Sequence, residues 1–499
     1  EAAELYACLY AKEFPAQALL RLRPELHTKP CVVLEGEPPT QQVCSLNTRG
    51  RLLGMKHAMT HVEVDTFPEP VVLPRSISSE LAAKAILLEC AGAFSPHIED
   101  RSEDTAFVCA VDIAGTQALF GPPETLARNL LQRTRSLGFS ARVTVSRNLH
   151  AAVCLAKGSQ RPVQVIAPSD EAAALSSLPL PVLDLTEVQA ETFAMWGIHT
   201  LGMLAALPEK ELIARMGQEG KRLRQLARGE LSRFFQPVEP LFVLEERIQL
   251  DSPVELLESL LFVAGVMLDQ LILRAKARIL ALATVSITLS LDGGGLHTRT
   301  IRPALPTTDK QLWIKLLHLD LETHPPPASI LGVTLHAEPG STSKVQLGLF
   351  SPQLPEAARL DVTLARIRAI VGEDNVGRAV LADSHAPESF CIEPFTVPTG
   401  ESTENVSVPQ ASLRQLRPPE TASVTLQNSR PSKFFFREKR YAVENAYGPW
   451  LAGGEWWNQT LWGMEQWDLV AQAQDGSMLC CCMMRDLMCN GWQMVALYD

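Results

Sequence analysis

No run of this chain is both long and uncharged enough to read as a membrane span. Its most apolar region, Leu256 to Leu291, is interrupted by Glu258, Asp269, Arg274, Lys276 and Arg278, which argues against a lipid-facing helix. No signal-peptide pattern is found either. A surplus of positive charge is also missing. Lys and Arg total 45 against 56 Asp and Glu, a net charge of −11, so any contact with nucleic acid needs a local basic face. The 11 cysteines lack the spacing of a disulfide framework, and a reducing cytoplasm is the expected location. Cys480, Cys481, Cys482 and Cys489 resemble a metal cluster only superficially. Neighbours on a strand point to opposite faces and cannot all converge on one ion, and no His follows His385. These cysteines read as small core hydrophobes.

What remains is a chain of 499 residues, 46% hydrophobic, enough for three or more domains. Strand and helix patterns alternate over residues 1–166. Apolar strands are expected at Leu5 to Leu9, Cys31 to Leu34, Phe107 to Ile113 and Arg142 to Val145. Ser78 is expected to cap a helix running to about Phe94, with Leu81, Ala85, Leu88 and Ala91 on one face. Pro122-Pro123-Glu124 opens another helix, ended by Gly138. The order suggests a mixed α/β sheet. Residues 167–236 turn helical.

Within that helical part, Gly197 and Gly202 flank Ile198 and Thr200 in a short turn between apolar helices. Such a helix–hairpin–helix can aim backbone N–H groups at a DNA phosphate; a tight turn that binds nothing fits as well. Lys221, Arg222 and Arg224 follow, either as phosphate contacts or as a solvated helix face. Residues 242–350 read as a second α/β domain, with a helix at about 253–276 and a hairpin turning at Asp292-Gly293-Gly294-Gly295. A helical extension is expected over 351–388, a Pro/Ser/Thr/Glu-rich flexible linker over 389–432, and a compact tail over 433–499. Six of the eight tryptophans lie in the tail. A small β meander accounts for most of them as core, a single-strand stacking platform being the alternative.

Gln346-Leu347-Gly348-Leu349-Phe350 has the form of a plug: a polar anchor, two aliphatic side chains and an aromatic end, with Pro352 and Pro355 behind it. An extended peptide of this kind can lay its apolar side chains into a partner's pocket. It resembles the peptide with which bacterial DNA repair proteins grip the β sliding clamp; a strand end buried in its own core is the other reading.

The order of parts resembles the Y-family translesion DNA polymerases: palm and fingers, helix–hairpin–helix thumb, little finger. Several stretches carry the resemblance. Val43 to Met59, with Arg51, Gly54, Met55, Ala58 and Met59, is similar to the family's fingers segment. Gly138 to Ala141, Asn148 and Leu155-Ala156 are similar to its palm, and Val111-Asp112-Ile113-Ala114-Gly115 to the end of its second motif. Phosphoryl transfer in this family needs two divalent ions about 4 Å apart on carboxylates. Aligning the first strand places Leu9 and Ala11 where the paired aspartates belong. Counting back from Asp112 places Phe107 and Val108 at the Asp-Glu positions. Thr48 replaces a fingers Tyr and Leu149 a palm Lys. The resemblance implies a catalytically dead site that needs no cofactor. Asp383 to Glu388, Gly448 to Trp457, Arg485-Asp486 and Tyr498-Asp499 extend it to the degenerate branch found in bacterial damage-induced mutagenesis cassettes. That branch implies an adaptor on the β sliding clamp, with an error-prone C-family DNA polymerase, a RecA-like accessory protein and DNA as partners, and no membrane. An active Y-family polymerase, or a repair factor without clamp contact, are the rival expectations.

Overall fold

The computed structural model describes residues 4–231, 235–303, 305–341, 357–372, 375–381, 390–393, 413–454 and 462–498. It divides into two compact units, Glu1–Ala365 and Arg366–Asp499.

The first unit begins β1 (Tyr6–Ala11), α1 (Phe14–Leu20), β2 (Cys31–Glu35), β3 (Gln42–Leu46), α2 (Thr48–Leu52), α3 (His61–Val64), β4 (Val71–Pro74), α4 (Ile77–Gly92), β5 (Ile98–Asp100) and β6 (Phe107–Asp112). It continues α5 (Gln117–Phe120), α6 (Pro123–Ser136), β7 (Arg142–Ser146), α7 (Leu149–Gly158) and β8 (Val163–Val165). The palm-like sheet has the order β5-β6-β1-β7-β8, antiparallel except for β7 with β8. Its central strands are buried on both faces, which explains why they read as continuous apolar runs and not as alternating ones. One face packs on α4 and α6 through Leu9, Phe107, Val111, Leu87 and Leu130. The other packs on α7 through Cys8, Val108, Ala152 and Val153. The α4 start differs from the expectation. Ser76, not Ser78, accepts the N–H of Ser79, and the buried stripe is Ala83, Ile86, Leu87, Cys90 and Ala91, with Leu81 exposed. The helix is apolar nearly all round, so periodicity alone did not set its phase. A separate three-stranded sheet, β3-β2-β4, forms the fingers-like layer around Val32, Val43, Leu46 and Met55.

The thumb-like bundle holds α8 (Glu171–Ser176), α9 (Glu187–Met195), α10 (Leu201–Ala206) and α11 (Glu209–Arg228) around Phe193, Leu201 and Leu204. Next come β9 (Leu244–Val254), α12 (Leu257–Lys276), β10 (Leu280–Leu291), β11 (Leu296–Ile301), α13 (Lys310–Thr323) and β12 (Ile330–Ser341). They form an antiparallel sheet of order β11-β10-β12-β9. Val285, Ile287 and Leu289 alternate inward, as expected, onto Leu268, Leu271 and Trp313 of α12 and α13.

After α14 (Ala357–Val371), the second unit carries a two-stranded pair, β13 (Arg378–Leu381) with β14 (Phe390–Glu393). Then come β15 (Leu413–Thr421), β16 (Ser423–Gln427), β17 (Arg430–Phe436), β18 (Lys439–Gly453), β19 (Gly463–Ala473), β20 (Met478–Asp486) and β21 (Trp492–Tyr498). Their order is β15-β21-β20-β19-β18-β17-β16. β15 and β16 are consecutive, separated only by Ala422. One bent strand therefore pairs with β21 through its first half and with β17 through its second, joining the two ends of the sheet. The folded tail thus starts at Leu413, within the stretch 389–432 expected to be a linker. Leu416, Ala422 and Val424 pack on its core, and the surrounding Pro, Ser and Thr masked them. Asp475-Gly476 does form a hairpin turn, with Gly476 at φ 83°. Of the tryptophans described there, Trp467 and Trp492 are buried, Trp462 is partly buried and Trp450 is half exposed.

Cys481 and Cys482 are buried in this unit, and burial pushes both thiols up to about 12. Burial likewise pushes Cys8 up to about 12 and Cys90 up to about 11. Alkylation needs thiolate and access. Iodoacetamide at pH 7 is therefore expected to label Cys391 and Cys489 quickly, both being exposed, and all 11 cysteines only after denaturation. Peptide mass spectrometry over time reads this; rapid labelling of Cys481 or Cys482 would show that this core is open.

Candidate functional site

The strand register decides which side chains share a face. In β1 and β6, Leu9 pairs with Cys109, Tyr10 with Val108 and Ala11 with Phe107. Leu9, Ala11 and Phe107 are fully buried in the α4/α6 core, and the Phe107 ring lies 5.6 Å from that of Phe14. Val108 points the other way, into the α7 core. The four positions matched by counting thus divide three to one between opposite faces. An adjacent pair on a strand already divides between the faces, so β6 by itself leaves the first-strand alignment open by one residue. The face shared by Val108 carries Tyr10, with Lys12 just beyond the strand, and a one-residue slip in the first-strand alignment converts Leu9 and Ala11 into Tyr10 and Lys12. In either register the strand contributes no carboxylate. A phenol and an ammonium do not fit a hard octahedral cation.

The neighbouring acids have cationic partners. Asp100 pairs with Lys84, Glu103 with Lys157, and Asp104 with Arg75 at 2.9 Å. Arg75 also meets Glu80 at 2.9 Å and Glu35 at 2.7 Å, and its hydrogen bonds to Glu80, then Asp104, raise its pKa further. The Asp112 carboxylate accepts the N–H of Ala114 at 3.0 Å, fixing the turn to Gly115 at φ 77°. The Arg142 guanidinium sits 6.0 Å from the Tyr10 ring centre. Burial, then Glu103, pushes the Tyr10 hydroxyl up. Among the described residues no group of three or more His, Cys, Asp or Glu is placed to hold a metal.

Between the palm-like and fingers-like layers lies a cleft of about 630 Å³, lined by Lys12, Glu13, Asn47, Thr48, Arg49 and Arg51 among others. Arg51 is bound by the Glu13 carboxylate at 2.6 Å. Sequence reading missed Glu13, because its partners come from positions 45, 46, 51 and 57, and nothing local marks such a convergence.

The helix–hairpin–helix forms as expected: α9, a turn, then α10. Gly197 adopts φ 71° with open space where a Cβ would stand, the left-handed residue that ends α9. Its N–H bonds to the Ala194 carbonyl, and that of Ile198 to the Phe193 carbonyl. The Ile198 side chain is buried. Thr200 caps α10 by accepting the N–H of Met203 at 3.3 Å. Gly202 has a packing role: a Cβ there would lie 2.9 Å from the Ser176 carbonyl oxygen. On α11, Lys221 and Arg224 both turn to Glu209, at 3.2 and 3.3 Å, and Arg222 pairs with Glu219 at 2.8 Å. All three cations are thus partly neutralised within the bundle. The peptide Gln346, Leu347, Gly348, Leu349, Phe350 lies outside the described residues.

Residues 9–157 match the family model described as the impB/mucB/samB family. Protein ImuB of Caulobacter vibrioides is 27% identical over 404 residues, 78% of this chain and 85% of that protein. DNA polymerase IV 1 of Mesorhizobium japonicum is 27% identical over 297 residues, 58% of this chain and 66% of its own. DNA polymerase IV of Moorella thermoacetica is 31% identical over 242 residues, 46% and 58% respectively. Among solved structures, DinB from Sulfolobus solfataricus aligns with a TM-score of 0.39 and 17% identity, over 67% of this chain and 98% of that one. The fold and the matched segment define a Y-family-polymerase-like chain with an added β-rich unit. The particular protein it resembles over most of its length is ImuB.

Proposed function

We propose that this chain is a non-catalytic adaptor in damage-induced translesion DNA synthesis. The observation that carries the proposal is the composition of β1 and β6: Tyr10 and Val108 lie on one face, Leu9, Ala11 and Phe107 on the other, and β1 contains no acid in either register. Gln346, Leu347, Leu349 and Phe350 dock on the β sliding clamp. Other surfaces, chiefly of the C-terminal unit, recruit an error-prone C-family DNA polymerase and a RecA-like accessory protein, in the bacterial cytoplasm at the nucleoid. The clamp then concentrates that polymerase at a stalled primer end, and tethering of this kind raises avidity by roughly 10²–10⁴ without new contacts. Gly197, Ile198, Thr200 and Gly202, with Lys221, Arg222 and Arg224, shape a thumb that holds primer–template or damaged DNA nonspecifically and in a salt-dependent way.

Two assays on one preparation test this. The double substitution Gln346→Ala, Phe350→Ala is expected to abolish co-elution with purified clamp, since a buried aromatic anchor commonly carries about 2 kcal/mol or more. Unchanged co-elution removes the clamp from the proposal and favours a repair factor without clamp contact. The likeness to proteins named DNA polymerase IV favours an active polymerase instead. That reading requires Mg²⁺-dependent primer extension by the purified chain, and the expected result is none.

A further inference from the structure

Glu13 is the single acidic side chain among the described residues lining the palm–fingers cleft, against Lys12, Arg21, Arg49 and Arg51. Its backbone stands at φ 54°, a left-handed conformation that a non-glycine residue enters at a steric cost and that tends to accompany a functional constraint. Its carboxylate is largely buried, with 13% of the side chain exposed. Three donors and the ring of His57, whose Nδ1 also meets the Cys44 carbonyl at 3.1 Å, converge on the two oxygens. Ser45 Oγ, at 2.9 Å, and the Leu46 N–H, at 3.0 Å, reach Oε2. Arg51 Nη2, at 2.6 Å, and His57 Nε2, at 2.9 Å, reach Oε1. A hydroxyl, a backbone amide, a guanidinium and an imidazole arranged in this way form a mixed set of the kind that binds an oxyanion. Nearby, burial and then the charges of Arg51 and Arg142 push the Lys12 ammonium downward, while the Glu13 charge opposes them.

We infer that Glu13 is the resident anion of an oxyanion-binding cluster, and that its charge keeps the cleft closed to phosphate-bearing ligands. A purely structural strap between α1 and β3 would use the same hydrogen bonds. It differs in one respect: neutralising the carboxylate would then create no affinity for anything. In the cluster, the amide of Glu13→Gln keeps the shape of the side chain but leaves Arg51 without a counter-charge, and a phosphate oxygen can take that role. The inference does not depend on the adaptor proposal. A Glu13→Gln chain that binds triphosphate yet extends no primer leaves that proposal standing.

The test is equilibrium binding of sodium tripolyphosphate, without divalent metal, to the full chain. Glu13→Gln is expected to bind at least about tenfold more tightly than wild type. The gain should fall with added salt and be lost in Glu13→Gln, Arg51→Ala. Equal binding by wild type and Glu13→Gln, or binding that survives loss of Arg51, overturns the inference. The wild-type chain gives an arm that does not require the variant to fold. Its melting temperature should show no tripolyphosphate shift that depends on Arg51, whereas a rise lost in Arg51→Ala would mean that the native cleft already binds the anion and would equally overturn the inference.

Discussion

Leu9→Asp is expected to destabilise the N-terminal unit by several kcal/mol and not to rebuild a metal site. Leu9 is fully buried, opposite Cys109 and in one core with Leu87, Phe107 and Leu130. A carboxylate there is ionised with no partner or held protonated, and both cost free energy. Tyr10→Asp is the informative comparison. That residue is half-buried on the other face, beside Arg142, and its replacement should cost about 1–2 kcal/mol, within the ordinary range for point mutations. Urea denaturation followed by circular dichroism, with and without Mg²⁺, separates the two. Equal costs, or Mg²⁺ stabilisation of Leu9→Asp alone, would return the family's aspartate positions to Leu9 and Ala11.

Arg274→Ala is expected to cost about 3–5 kcal/mol, because it removes the close cation of buried Glu89 and one of the two cations on buried Glu246. Arg274 of α12 reaches Glu89 of α4 at 2.6 Å and Glu246 of β9 at 3.3 Å, and donates to the Val243 and Glu245 carbonyls at 2.5 and 3.2 Å. Glu246 is shared with Arg21 at the end of α1. The cluster holds two cations and two anions, all buried. It ties the palm-like helices to the little-finger-like sheet, alongside Leu22, which joins the core of that sheet. Arg278 serves as the control. It lies 3.9 Å from Glu89, is more exposed, and rests 4.1 Å from the Phe242 ring centre. Arg278→Ala should cost no more than about 1 kcal/mol. Similar denaturation midpoints for the two variants would show that the cluster contributes little.

Sequence patterns revealed most where one short segment contains the whole cause of a structure. Pro123 at the start of α6, Gly138 after it and the Val285, Ile287, Leu289 alternation each carry their geometry locally. The two faces of β1 were not legible, since a strand buried on both sides has no polar phase to set a register. Counting within a motif therefore left a one-residue ambiguity that pairing with β6 exposes. The start of the C-terminal unit was hidden for a different reason. Leu416 and Val424 sit among Pro, Ser and Thr that suggest disorder, and their burial depends on strands from residues 463–498. The Glu13 cluster and the Arg21–Glu246–Arg274–Glu89 cluster belong to this second kind. Each is assembled by topology from residues that look unremarkable in the linear chain.

The bent strand β15–β16 has a further consequence for how this protein can be gripped. A ribbon whose first and last members are two halves of one strand offers little open backbone to an invading peptide, so β-augmentation is a poor route onto that sheet. A macromolecule landing there meets side chains instead, among them Tyr447, Trp450 and Leu451, which stand outward along β18. Recognition at that surface would then depend on amino-acid identity, and a single aromatic-to-alanine change would abolish it while leaving the sheet intact.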